Sequence, residues 1–282
     1  MDSKMKKLFL LSIVVMMITM VGVGCLDRDT GEQLTITGSS TVLPASQALS
    51  EEFMVKYPEH RVSVSGGGSG VGIAAMIDNE IDIAQSSRDM RQEEIDSARR
   101  NNVEPIEHTI AWDGITFVVH PDNPVSELTF EELKGIYTGT IRNWNEVGGE
   151  DRTISAVSRD SSSGTYAFVR DAVLDGEDYG SHILSMGATG GIVQEVSQNR
   201  GAIGYVGYAY LDDRTKALSL DEGQGPVPPT AESIQSGDYS LARPLHFYTN
   251  GEPTGLTKEF LDFVLSTEGQ DIVMDVGYFP AR

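Results

Sequence analysis

The chain has 282 residues, 39% hydrophobic and 22% charged, enough ordinary globular sequence for one large or two medium domains. Against 21 basic residues stand 42 acidic ones, a formal net charge of −21, which argues against a nucleic-acid or anionic-membrane binder, since such proteins present basic clusters. No block of five or six like charges occurs, so the acid is spread over a surface instead of held in a tail.

Residues 1–24 read as a leader. "MDSKMKK" is a short basic segment, an apolar run follows from Leu8 to Val21, and the small residues of "GVGC" end at Cys25, the pattern of a secretory signal. The run falls short of the ~20 residues of a comfortable membrane span. Cys25 is the only cysteine, which excludes an intrachain disulfide. It stands where a bacterial-type lipoprotein precursor is cut and lipidated, although Gly22 occupies the place that usually holds leucine. Lipid attachment at Cys25 is expected, with a simple cleaved signal or an uncleaved anchor as the alternatives. Residues 1–24 carry three lysines and one aspartate, so the remainder has a charge of −23. The protein is expected to be exported and tethered, at the cell surface or in the periplasm.

Residues 25–33 form a polar linker, after which strand-like and helix-like segments alternate, the signature of an α/β fold with a mainly parallel sheet. "LTITG" predicts a strand and "PASQALSEEFMVKY" a helix with Pro44 in its first turn. "RVSVS" and "IDIAQS" predict strands, "VGIAAMIDN" a helix between them, and "RQEEIDSARRN" a charged surface helix. "ITFVV" is a β-branched, aromatic strand, and "TFEELKGIY" a helix capped by Thr129 with Glu132 at the capping-box position. "TISAVS" and "AIGYVGYAYL" predict strands, "YAFVRDAVL" and "GIVQEVSQN" helices, and "KEFLDFVLSTEGQDIVMDV" one terminal helix. No solenoid-period repeat and no low-complexity tract occurs.

Three strand-to-helix junctions share one chemistry: "ITGSSTVLP" at 36–44, "VSVSGGGSGVG" at 62–72 and "AVSRDSSSGTY" at 156–166. Each places glycine and hydroxyl residues before a helix start. A helix N-terminus leaves about four backbone N–H groups unpaired and partly positive. Glycine lets the backbone close on a ligand, and Ser or Thr hydroxyls add donors at short reach. Any one junction alone is readily a cap, a turn or a linker; three in one chain, one of them carrying Arg159, point to an anion site.

Competing motifs are weak. The phosphate-loop pattern G-x-x-x-x-G-K-[ST] is absent, as is G-x-S-x-G. Gly70, Gly72 and Ala75 fit only the loosest dinucleotide pattern. His60, His108, His120, His182 and His246 are scattered and never spaced i, i+4, so neither a metal centre nor any other cofactor is expected.

From about Thr35 to Tyr278 the chain resembles the phosphate-binding proteins of high-affinity phosphate importers, the solute receptors of an ATP-binding-cassette (ABC) system. The likeness rests on "GSSTVLP", "SGGGSGVG", "IDIAQSSR", "AWDGITFVVHPDNPV", "LTFEELKGIYTGTIRNWNEVGG", "SRDSSSGTYAFV" and "GAIGYVGYAYL" in that order. The resemblance implies an α/β, two-lobed periplasmic-binding-protein type II fold with the oxyanion in the inter-lobe cleft. The lobes would be 34–110 with 245–282, and 111–244, joined by crossings near 108–119 and 241–248. The family's contact loops map onto Ser40 and Thr41, onto Ser69, and onto Arg159, Ser163, Gly164 and Thr165, with Arg159 the single formal cation. Relatives place an aspartate where this chain has Ser87, to accept the proton of the phosphate dianion and reject sulfate, and another where it has Ser161. Ser87 is kept as a contact, and Asp113 of "AWDG" is the candidate acceptor, against the alternative of a strand-end turn residue; Asp160 is a second candidate. Arg88 either reaches the ligand or braces its loop through an acid, and bracing is favoured.

The partners implied are inorganic phosphate, the transmembrane subunits of an ABC permease, and a membrane only through a lipid anchor; no nucleic acid is expected, and the chain is expected to be a monomer without catalysis. Three rival readings stay open: a secreted phosphatase or serine hydrolase, a receptor of the same fold for sulfate, molybdate or tungstate, and a signalling or adhesive surface protein.

Overall fold

The computed structural model describes residues 31–281; the leader and Cys25 lie outside them. Strand β1 (Gln33–Gly38) starts one residue inside the expected linker, and β2 (Arg61–Ser65) and β3 (Ile83–Ser86) flank it in parallel. Helices α1 (Leu43–Lys56), α2 (Ser69–Ile77) and α3 (Gln92–Arg100) connect and follow these strands. A 15-residue strand, β4 (Pro105–Val119), then leaves this region. Proline suits its first position, where no ladder N–H is required.

The second region contains β5 (Glu127–Thr129), α4 (Phe130–Thr138), β6 (Ser155–Arg159), α5 (Gly164–Ala172), β7 (Leu184–Met186), α6 (Thr189–Gln198) and β8 (Ala202–Gly207). Short strands β9 (Lys216–Ala217), β10 (Ser219–Asp221) and β11 (Pro226–Val227) and helix α7 (Ala231–Ser236) follow. Strand β12 (Ala242–Asn250) returns, and α8 (Gly255–Val264), α9 (Thr267–Asp275) and β13 (Phe279–Pro280) complete the chain. As its sequence indicates, α4 opens in a capping box: Thr129 Oγ1 accepts from Glu132 N at 3.1 Å, and Glu132 accepts from Thr129 N at 2.8 Å.

The strand order is β2-β1-β3-β12-β4-β8-β6-β7. Each outer triplet is parallel, but β3-β12-β4-β8 is antiparallel throughout. The expected mainly parallel sheet is thus two parallel triplets joined by an antiparallel ribbon, because β4 and β12 run through the centre in opposite directions. In that ribbon Arg243 stands opposite Asp113, and the register shifts between Leu245 and His246, a β-bulge.

Apolar burial divides along the same line, giving a two-lobed molecule. One core gathers Leu34, Ile36, Leu49, Phe53, Phe247 and Phe260; another gathers Phe117, Leu133, Tyr137, Trp144, Val169 and Tyr205. The single terminal helix expected from the apolar pattern is broken in two. Ser266 Oγ accepts from Gly269 N at 3.2 Å and starts α9, and a Cβ on Gly269 would lie 2.2 Å from the carbonyl oxygen of Phe263, so the two helices pack too closely there to be continuous. Among the described residues no helix is long and apolar enough to cross a membrane.

Candidate functional site

The glycine–hydroxyl junctions converge where the ends of β1, β3 and β6 meet the ribbon. Their backbone is shaped for close approach: Gly38 has φ +142°, and a Cβ there would sit 2.1 Å from Gln85 O, so no other residue fits. Helices α1, α2 and α6 begin at Val42, Gly68 and Ala188 with no side-chain cap, which leaves their first N–H groups without the usual side-chain acceptor. Of the helices that start at this cluster only α5 is capped, by Ser163 Oγ accepting from Thr165 N and Tyr166 N.

The hydroxyls pair across the two lobes. Ser40 Oγ lies 3.1 Å from Thr189 Oγ1, and Thr41 Oγ1 lies 2.9 Å from Thr165 Oγ1. Ser39 Oγ donates to Ser87 Oγ at 2.9 Å, and Ser69 Oγ accepts from Ser87 N at 3.1 Å. Gly164 supplies room: a Cβ there would meet Ser69 Oγ at 2.5 Å and Ser87 Oγ at 2.6 Å. The rims also interlock, with Gly70 N donating to Ser162 O at 2.9 Å and Ser162 Oγ to Gly67 O at 3.1 Å.

Two buried guanidinium groups enter this cluster. Arg159, 2% exposed, donates from Nε to Met186 O (3.0 Å), from Nη2 to Gly187 O (2.8 Å) and from Nη1 to Thr189 Oγ1 (3.0 Å). Burial draws its pKa below the ordinary arginine value. Arg243, also 2% exposed, donates from Nη1 to Ser87 O (2.7 Å) and from Nη2 to Thr165 Oγ1 (2.8 Å), and stacks over Phe168 at 5.2 Å. Burial lowers its pKa to about 10, which leaves it charged at neutral pH. Its Nη2 lies 3.5 Å from Asp113 Oδ2, an ion pair without hydrogen-bond geometry. Asp113 is fully buried, its Oδ1 accepts from Tyr208 N at 3.0 Å, and its Oδ2 has no hydrogen-bond partner. Desolvation pushes this carboxyl up to about 6, against the pull of Arg243.

The structure therefore brings together Ser40, Thr41, Ser69, Ser87, Asp113, Arg159, Ser163, Gly164 and Thr165, all buried. Beside Arg159, the single cation that the resemblance maps, the structure places a second buried guanidinium, Arg243, which sequence reasoning missed because an isolated arginine in "LARPLHF" carries no motif. Thr189 was missed too, although "MGATGG" is a fourth strand-to-helix junction of the same glycine–hydroxyl chemistry. Asp160 spends its carboxylate on its own turn, accepting from Ser162 N at 2.8 Å. Arg88 braces α3 through a bidentate pair with Glu94, at 2.7 and 2.8 Å. Among the described residues one trio has metal-ligand types, Asp89, Glu107 and His246. Asp89 faces Nε2 of the imidazole at 3.1 Å and Glu107 faces Nδ1 at 3.5 Å, opposite edges of the ring, so the carboxylates hold the histidine between them instead of converging on one lone pair.

Hydroxyl donors, uncapped helix starts and two guanidinium groups, one of them opposed by Asp113, suit a small anion. No histidine or metal-type cluster lies against these hydroxyls among the described residues.

A profile described as a PBP superfamily domain matches residues 27–268. The chain is 38% identical over 249 residues to the phosphate-binding protein PstS of Bacillus subtilis, covering 88% of this chain and 80% of that one. It is 35% identical over 254 residues to PstS of Staphylococcus aureus, covering 86% and 77%. Among solved structures, one from Clostridium perfringens, with bound phosphate and described as a phosphate ABC transporter substrate-binding protein, superposes with a TM-score of 0.82 at 34% identity, covering 89% of this chain and all of that one. An ABC-type phosphate transport receptor from Vibrio cholerae gives a TM-score of 0.71 at 31% identity, covering 88% and 100%.

Proposed function

The chain belongs to the PBP superfamily and, within it, to the phosphate-binding proteins of ABC importers, and on that footing we propose that it captures inorganic phosphate between its lobes and delivers it to an ABC permease. The observation that carries this reading is the buried convergence of Arg159 with hydroxyls from both lobes, Ser40, Thr41, Ser69, Ser87 and Thr165. An enclosed anion needs its charge dispersed over donors, since each unmet charged hydrogen bond costs about 1.5–3 kcal/mol. Donors at ~3 Å outweigh the screened field of the distant acidic surface. Ser163 and Gly164 present the first turn of α5, and Arg159 supplies a planar cation. Asp113 is the group we assign as acceptor of the phosphate proton, because it is the one fully buried carboxylate among the described residues and its Oδ2 has no hydrogen-bond partner.

In this reading the protein binds and does not turn over its ligand. The lobes run 34–110 with 245–282, and 111–244. Closure over the anion generates the form that the permease recognises. The protein works outside the cytoplasm as a monomer, cut before Cys25 and held to the membrane by a lipid on that residue. A second reading, a receptor for sulfate, molybdate or tungstate, is favoured by the serines at 87 and 161, where the resemblance implies carboxylates.

Calorimetric titration tests both. The chain lacking residues 1–24, freed of ligand by unfolding and refolding, is titrated with phosphate and then with sulfate. Tight 1:1 phosphate binding with weak sulfate binding is expected; equal binding of both favours the second reading, and no heat with either overturns both.

A further inference from the structure

Arg243 is placed unlike any other charged residue of the described chain. It projects from the return strand β12 directly opposite Asp113 of β4, and one guanidinium grips groups from both lobes, Ser87 O and Thr165 Oγ1. Thr165 Oγ1 is itself a proposed anion contact, so Nη2 lies one hydrogen bond from the hydroxyl cluster that Arg159 also enters, while Nη1 is fixed by the backbone carbonyl of Ser87. Its Nε has no hydrogen-bond partner. Holding a second buried cation there is costly unless a charge opposes it. Asp113 opposes it, but only as a 3.5 Å ion pair with an oxygen left over.

We infer that Arg243 is a second cation on the captured anion and that, with Asp113 opposing it, the site holds one net positive charge and selects a singly charged ligand. This rests on the phosphate reading above. Two guanidinium charges less one carboxylate leave +1, which a monoanion neutralises. A dianion leaves an uncompensated buried charge unless one proton enters from solvent with it. That proton has two places to reside, a phosphate oxygen or Asp113 Oδ2, and either gives the same count. Phosphate can bring or take the proton on its own oxygens, whereas sulfate depends on Asp113 alone. The other groups facing Asp113 do not alter the sum. They are the backbone N–H groups of Tyr208 and Gly114 and the phenols of Tyr210, Tyr239 and Tyr278, which burial holds neutral, Tyr210 at about 12. Asp160, beside Arg159, is half-buried and held on its own turn by Ser162, so solvent shares its charge and it is left out of the buried count. The raised pKa of Asp113 means that the carboxyl is already inclined to take a proton.

The experiment counts protons. Phosphate is titrated at pH 8.5, where it is free as the dianion, in two buffers of different ionisation enthalpy, into the wild-type chain and into Asp113→Asn, Arg243→Met and the double variant. Wild type should take up about one proton per phosphate bound. Asp113→Asn, with two uncancelled cations, should take up almost none and bind sulfate more tightly. Arg243→Met should lose at least ~30-fold in phosphate affinity. The double variant removes the ion pair as a unit and so keeps its fold. It should bind weakly yet regain the proton uptake that Asp113→Asn lost, a reversal that loss of a purely structural brace would not produce. Tight binding by wild type without proton uptake, uptake undiminished in Asp113→Asn, or full affinity in Arg243→Met would overturn the inference while leaving the phosphate reading in place. Absence of phosphate binding by wild type would bring both down together.

Discussion

The surroundings of Arg159 and Arg243 differ more than their shared burial suggests. Arg159 sits at the end of β6 and is met only by neutral acceptors, two carbonyls and a threonine hydroxyl, all contributed by residues 186–189. Its guanidinium is hydrogen-bonded to no carboxylate, and Asp160 beside it is half-buried and turned to Ser162. Arg243 lies near the start of β12, is opposed by a carboxylate, and is held by Ser87 on one side and Thr165 on the other. The first arrangement makes an anchor that is complete within one lobe. The second makes a contact that exists only while the lobes are together. Burial of a charge, then, says little until its partners and their provenance are known.

The sharpest break in this comparison is Arg159→Ala. It should lower phosphate affinity by at least ~100-fold, measured calorimetrically, because it removes the cation that is paired with no buried carboxylate. Gly164→Ala comes next. Its new Cβ would press on Ser69 Oγ and Ser87 Oγ, so closure should suffer and affinity should fall by ~10-fold or more, while the melting temperature of the ligand-free protein moves little. The Arg243 side is probed through Asp113. Its carboxyl is raised from an ordinary 3.8 to about 6, so the folded state holds the proton more tightly than the unfolded chain. The stability this brings is complete below pH 4 and is lost as pH rises through 6, about 3 kcal/mol in all at about 1.36 kcal/mol per pH unit. Denaturant titrations of ligand-free wild type and Asp113→Asn from pH 4 to 8 should therefore diverge by that amount; parallel curves would refute it. The smallest effect is the control far from either arginine: Thr129→Ala loses the cap of α4 and should cost about 1 kcal/mol without changing phosphate affinity.

What could be read in advance followed local rules. The Thr129–Glu132 capping box, the hydroxyl–glycine junctions and the Arg-x-x-x-Ser-Gly-Thr stretch all act within a few residues of themselves, so the sequence displays them as spacing. Arg243 and Thr189 act through long-range pairing. Nothing near Arg243 announces that Asp113, 130 positions earlier, will stand opposite it, because strand register is settled by the whole sheet. The parallel sheet was overstated for the same reason, since β-propensity gives a strand but not its direction. The break before α9 was hidden by an apolar pattern that continues across Ser266, where a serine cap and the close approach at Gly269 override helical periodicity.

The β-bulge between Leu245 and His246 has a mechanical side. It lies in β12 and β4, which among the described residues are the strands that join the cores, two residues beyond Arg243, so the molecule turns on a flexure instead of a pin. A flexure has a rest angle, and displacement from it is resisted elastically along the whole hydrogen-bonded ribbon. Opening would then twist β4 and β12 without unzipping them, and the amides of 111–113, Arg243 and Leu245 that belong to the ladder should stay protected from hydrogen exchange even while the rims at Gly70 and Ser162 come apart.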